Sequence, residues 1–187
     1  MQPEIRGFIF LRKDSLNRFQ LSSPNPEMLK TKSRGYKMHI SVHDADDVSS
    51  NLMHAWDIFV IILLRYEIYQ VKIVVPSFRD ALRRDEDQRG KEITICCFKE
   101  LRPPEEWQEF CREVTRGFVE QHIVAGVLPP DDASIRGSSY FSYVNDSSAD
   151  LPNPFSSIDL TSIEGQPPRI SIERAVMREE AVADHTP

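Results

Sequence analysis

Cysteine is scarce: Cys96, Cys97 and Cys111 are the three in 187 residues. An odd, small set does not make a disulfide framework, and its spacing with the five histidines resembles no zinc pattern. No metal is expected, and a reducing cytosol is the natural setting. Long apolar runs are missing too. The longest, residues 58–64, is far too short to span a bilayer, so no membrane helix is expected. The N-terminus, Met1-Gln2-Pro3-Glu4, shows no basic segment followed by an apolar one and a small-residue cleavage site, so no cleaved secretory signal is visible. Excess positive charge is also absent. A formal charge of -6 argues against general nucleic-acid binding while leaving room for a local basic pocket.

What is present suits one core. A hydrophobic fraction of 40% over 187 residues supports a single α+β domain and no comfortable second one. Residues 7–11 and 18–21, separated by a polar stretch, read as a hairpin, followed by a Ser/Pro-rich loop over 22–34. Residues 36–42 read as a strand ending near Asp44, Asp46 and Asp47, which suit a helix N-terminus. Val48, Leu52, Trp56, Phe59, Ile62 and Leu63 then recur at three- and four-residue intervals, as on a helix packing one face on a sheet.

Further strands are expected at 70–75, at 92–98 in the middle of the sheet, and at 139–146. Ser77-Phe78-Arg79-Asp80 has the form of a capping box opening a charged helix that closes at Gly90. Pro103-Pro104-Glu105-Glu106 starts a second long helix with Trp107, Phe110, Cys111, Val114, Phe118 and Ile123 as its buried stripe and Gly126 as its stop. Trp56 and Trp107 are expected as core anchors, and His122 as a cap or surface residue. The organisation is therefore an N-terminal hairpin and loop (1–35), a core (36–146) with an antiparallel-rich sheet flanked by helices, and a flexible acidic, Pro-rich tail (147–187) with a short helix around 172–182.

The chemistry is concentrated in two strands. Tyr36-Lys37-Met38-His39-Ile40-Ser41-Val42 sets Lys37 and His39 at i and i+2, so both point to one face while Met38 and Ile40 point to the other. Lys72 stands among β-branched neighbours in Gln70-Val71-Lys72-Ile73-Val74-Val75, where a charge is unusual without a partner or a task. Taken singly, His39 is an ordinary half-buried strand histidine and Lys72 an edge lysine that guards against aggregation. Together they form an acid–base set suited to an anionic substrate: a lysine base takes a carbon-bound proton, the histidine protonates a departing phosphate, and the other lysine with nearby arginines holds the charge.

The order of Lys37-Met38-His39-Ile40-Ser41-Val42, Val71-Lys72-Ile73, Gly90-Lys91-Glu92-Ile93-Thr94-Ile95 and Tyr140-Phe141-Ser142-Tyr143-Val144-Asn145-Asp146 resembles the phosphothreonine lyase family of bacterial secreted effectors. The resemblance covers residues 36–146. It implies β-elimination of phosphate from phosphothreonine, with Lys72 as general base, His39 as general acid and Lys37 as a supporting cation. Arg136, Arg89 and Tyr143 are the candidates for phosphate binding, with Arg79 and Arg83 behind them. No cofactor is implied. The implied partner is a phosphorylated host protein, with a MAP-kinase activation loop as the family substrate, met by a monomer exported from a bacterium into the host cytosol or nucleus. Two positions depart from the pattern: Cys96 stands where a tyrosine is expected and Val144 where a phosphate-binding arginine is expected. Losing such an arginine contact costs about 1.5–3 kcal/mol.

Two other readings come from the same residues. His39-Ile40-Ser41 has the form of one half of the histidine-x-serine/threonine pair of two-histidine phosphoesterases, but Glu92 stands where Glu92-Ile93-Thr94 would need the second histidine. A regulatory phosphopeptide binder on the same fold would keep the pocket without turnover. Cys96 and Val144 suit it; the matched Lys37, His39 and Lys72 do not.

Overall fold

The computed structural model describes residues 4–5, 8–13, 18–22, 35–43, 50–66, 68, 71–74, 84, 87–96, 102–146 and 152–168. The loop over 23–34, the acidic cluster with Val48, the 77–80 capping box with Arg79 and Arg83, Cys97 and the 172–182 helix lie outside the described residues.

The strands are β1 (Glu4–Ile5), β2 (Phe8–Lys13), β3 (Arg18–Ser22), β4 (Tyr36–Ile40), β5 (Val71–Val74), β6 (Ile93–Cys96), β7 (Ala133–Ser134) and β8 (Phe141–Asn145). They make one sheet in the order β1-β2-β3-β5-β6-β4-β8-β7. Every pairing is antiparallel, which agrees with the α+β, antiparallel-rich expectation. The hairpin forms as expected, with Lys13 opposite Arg18. All four residues of β6 are buried and the strand lies inside the sheet, in keeping with its run of β-branched residues.

Two helices, α1 (Ser50–Arg65) and α2 (Pro104–Glu120), cover the face carrying Met38 and Ile40. Leu52, Ala55, Phe59, Ile62 and Leu63 of α1 and Trp107, Phe110, Cys111, Val114 and Phe118 of α2 are buried in one cluster with Met38, Ile40, Ile93 and Ile95. Each large side chain so buried contributes about 1.5–3 kcal/mol. The helices approach closely at Gly117, where a Cβ would lie 2.7 Å from the Ile58 side chain.

Pro104 opens α2 and Glu105 and Glu106 occupy its first turn, as the sequence pattern predicts. Its end differs from expectation. The helix stops at Glu120, with His122 left-handed at φ 54°. The Ile123 amide bonds the Phe118 carbonyl at 2.8 Å and the His122 amide bonds the Val119 carbonyl at 3.1 Å, a Schellman cap closed by the buried Phe118 and Ile123. Gly126 instead runs beside β4, its amide donating to the Ser41 carbonyl.

The boundary drawn at residue 146 also shifts. Within the stretch read as tail, residues 152–168 bring Phe155, Ile158 and Leu160 into the core. Phe155 stacks edge-on with Trp107 at 5.4 Å, and Gln108 of α2 clasps the Asp159 backbone through both its amide and its carbonyl. Three isolated apolar residues among prolines and serines carry no helical or strand period, so only the packing reveals them.

Candidate active site

The register of the central strands assembles the site. Thr94 of β6 lies opposite both Lys72 of β5 and His39 of β4, and His39 lies opposite Ser142 of β8. Directly opposed residues share a face, so Lys72, Thr94, His39 and Ser142 form one row across the sheet on the side away from the helices. Lys72 and His39 are two strands apart, about 10 Å between Cα atoms, a gap into which both side chains can reach around a ligand. One residue pair along, Cys96, Lys37 and Val144 form the next row on the same face.

His39 is buried at 3% exposure. Its Nδ1 lies 2.6 Å from Asp132 Oδ2, and the Ser142 hydroxyl donates to the same oxygen at 2.7 Å. A carboxylate only accepts, so Nδ1 carries the hydrogen and Nε2 is the nitrogen left to exchange a proton. Burial holds the His39 pKa below its ordinary 6.5, outweighing the hydrogen bond and charge of Asp132, with Lys91 and Lys37 adding to the depression. The ligand-free imidazole is thus biased towards neutrality. An anion at Nε2 would favour the charged form.

Lys37 pairs with Asp146 at the end of β8, both groups being about one-third exposed (27% and 36%). Lys72 is half-buried. The three residues singled out as catalytic in the sequence therefore come together on one face. Asp132 lies in an irregular loop with no period to mark it, and the Asp131-Asp132 pair is its only trace in the sequence. Thr94 and Ser142, the strand residues between and beside the named groups, become visible only with the register.

The phosphate-binding candidates divide. Arg89 is half-buried in the turn over 87–90, next to Gly90, whose carbonyl accepts from Ser41 on the site face. Tyr143 lies opposite Met38, on the helix side, where it packs against Tyr36 and Phe155 and accepts a hydrogen bond from Asn153 at 3.1 Å. Alternation along β8 turns it away from His39. Arg136 pairs with Asp159 at 3.2 Å, on the segment clasped by α2, and is largely exposed. The structure does not bring either residue to the Lys37/His39 face. Among the described residues no three or more His, Cys, Asp or Glu gather as a metal-binding group, and no helix is long and apolar enough to cross a membrane.

No family model and no curated protein matches the chain. Solved structures do. The type III effector/phosphothreonine lyase OspF from Shigella flexneri is similar with a TM-score of 0.58 at 19% identity, over 78% of this chain and 73% of that one. The phosphothreonine lyase SpvC, an effector from Salmonella, gives 0.59 at 17%, over 77% and 71%. The VirA (SpvC) phosphothreonine lyase effector of Chromobacterium violaceum gives 0.54 at 18%, over 75% and 66%. The chain shares the fold of these phosphothreonine lyases.

Proposed function

We propose that the protein is a phosphothreonine lyase-like enzyme that removes phosphate from a phosphorylated protein by β-elimination. The observation that carries this reading is the single row in which Lys72 and the Asp132-held His39 stand about 10 Å apart across Thr94 on one face of the sheet. Lys72 takes the Cα proton of the phosphothreonine. The C–H electron pair becomes the new carbon–carbon double bond, the Cβ–O bond breaks with its pair going to phosphate, and His39 Nε2 protonates the departing oxygen. Lys37 supports the negative charge. Such an elimination requires a base, an acid and fixed positive charge.

The bound phosphate supplies the condition that the ligand-free site lacks. Placed at Nε2, its charge opposes the desolvation that keeps His39 neutral and makes the imidazolium available as acid. The shared fold supports extending the reading to a bacterial effector that meets a phosphorylated host protein, with a MAP-kinase-type activation loop as the first substrate to try. One observation favours a binding-only alternative: Lys37 is already paired with Asp146, which offsets one positive charge on this face.

Mass spectrometry of a phosphothreonine activation-loop peptide decides among these. The expected product is one water lighter than the dephosphorylated peptide, formed by the wild type and not by Lys72→Ala. A product of plain threonine mass would mean hydrolysis and support the phosphoesterase reading, and an unchanged peptide that nonetheless binds would support the binder.

A further inference from the structure

Ser142 stands directly opposite His39 in the register of β4 and β8, about 5 Å away between Cα atoms, and is fully buried. Its hydroxyl donates to Asp132 Oδ2 at 2.7 Å, the same oxygen that His39 Nδ1 meets at 2.6 Å. Neighbouring serines use their hydroxyls on the backbone. Ser41 donates to the Gly90 carbonyl, Ser139 donates to the Pro167 carbonyl, and Ser138 accepts from the Tyr140 and Phe141 amides. Ser142 instead commits its hydroxyl to the carboxylate behind the histidine.

The main chain that delivers Asp132 is lightly held. Asp132 immediately precedes β7, a two-residue strand at the end of the sheet with both residues exposed. Its backbone is fixed by the Asp132 amide on the Pro129 carbonyl at 3.3 Å, by the short pairing of β7 with β8, and by the Ile135 amide on the Phe141 carbonyl at 3.2 Å. The carboxylate, by contrast, is buried, its side chain 2% exposed. Oδ2 has two lone pairs and two donors, one from β4 and one from β8, strands that pair along the whole of β4. Held by the Nδ1 bond alone, the carboxylate could pivot and the imidazole could follow it. Held by both, it cannot turn without leaving a polar group unpaired in a site that excludes water.

We infer that Ser142 is a positioning residue, acting through Asp132 to hold the His39 ring in its Nδ1–H form and in one orientation. Its effect on turnover rests on the lyase reading and deepens it, since the ring so held is the one assigned to protonate the leaving phosphate. Its effect on the ring does not depend on that reading.

The test is Ser142→Ala in the full chain, alone and combined with Asp132→Ala, followed by nitrogen NMR of the His39 ring in the ligand-free protein and by turnover of the phosphothreonine peptide. The parent should show the Nδ1–H tautomer, and Ser142→Ala a mixture in which Nε2–H appears. In turnover, kcat should fall about 10- to 100-fold with little change in KM, the usual effect of misplacing a reacting group. In the Asp132→Ala background the same substitution should change kcat by less than about twofold, because residues that act as one unit do not add. Ser142→Cys, a similar shape with a weaker donor, should fall between parent and Ser142→Ala and replaces it if that variant does not fold. An unchanged His39 tautomer in Ser142→Ala overturns the inference, even if the parent eliminates phosphate. So does a kcat loss that persists in full without Asp132. A mixed tautomer in Ser142→Ala, beside a parent that eliminates nothing, supports the role of Ser142 and overturns the lyase reading.

Discussion

Two rows of residues lie one step apart on the same face of the sheet, and their surroundings differ sharply. In the first, Thr94, His39 and Ser142 are buried (5%, 3% and 0%), and Asp132 reaches in to fix the histidine at 2.6 Å. In the second, Lys37 is flanked by Cys96 and Val144 and meets Asp146 at a partly exposed rim. Electrostatic interactions act strongly in the first row, where water is excluded, and are screened in the second. The buried row has little tolerance of change, because a lost partner there leaves a buried polar group unpaired. The rim row can exchange partners at small cost.

The sharpest way to break the comparison is to remove a group from each row. His39→Asn should lower kcat for elimination by about 10²–10⁴-fold, the usual contribution of a positioned acid. Lys37→Met should act mainly on KM. Steady-state kinetics on the phosphothreonine peptide checks both, and equal kcat losses would erase the distinction between the rows.

Asp132→Asn asks whether the buried row depends on its orienting carboxylate. The substitution keeps an acceptor near Nδ1 but removes the charge that favours imidazolium, so His39 should titrate still lower than in the parent. The loss in kcat should be about tenfold or more, smaller than for His39→Asn. The limb of the kcat–pH profile assigned to His39 should move to lower pH; an unmoved limb with reduced kcat would indicate general damage instead of lost orientation.

Much of this arrangement was legible from local pattern. Alternation placed Lys37 and His39 on one face, period-3.6 stripes gave both helices, and the β-branched run around Thr94 marked an interior strand. What the sequence could not show depended on pairing between distant segments. Asp132 reaches His39 across 93 positions from an irregular loop. Tyr143 is a phosphate candidate by the block it lies in, yet the opposition of Tyr143 to Met38 fixes its face, and that register is tertiary. Arg136 is likewise claimed by Asp159, from a segment whose few apolar residues have no period.

The buried imidazole also leaves a mark on stability. The His39 pKa is depressed on folding, so the unfolded chain binds more protons through the window below about 6.5. Its contribution to stability is complete above that pH and is lost as pH falls through the folded-state value. Urea unfolding between pH 7.5 and 5 should therefore show stability falling with acid in the parent. His39→Asn should flatten that part of the profile, and Lys37→Met, which removes the smallest contribution to the depression, should flatten it far less.

The smallest expected effect sharpens the rim row. The Lys37–Asp146 pair is partly exposed on both sides, and such pairs contribute about 0.2–1 kcal/mol. Asp146→Asn should therefore change unfolding free energy by less than about 1 kcal/mol. It also releases the Lys37 ammonium and removes a carboxylate from the face proposed to hold the phosphate. Phosphopeptide KM should fall several-fold while kcat, set in the buried row, stays near the parent value. A large loss of stability would show that the pair anchors the end of β8 to β4. A fall in kcat equal to the fall in KM would show that the two rows act as one unit, with Asp146 contributing to the chemistry proposed for His39 and Lys72.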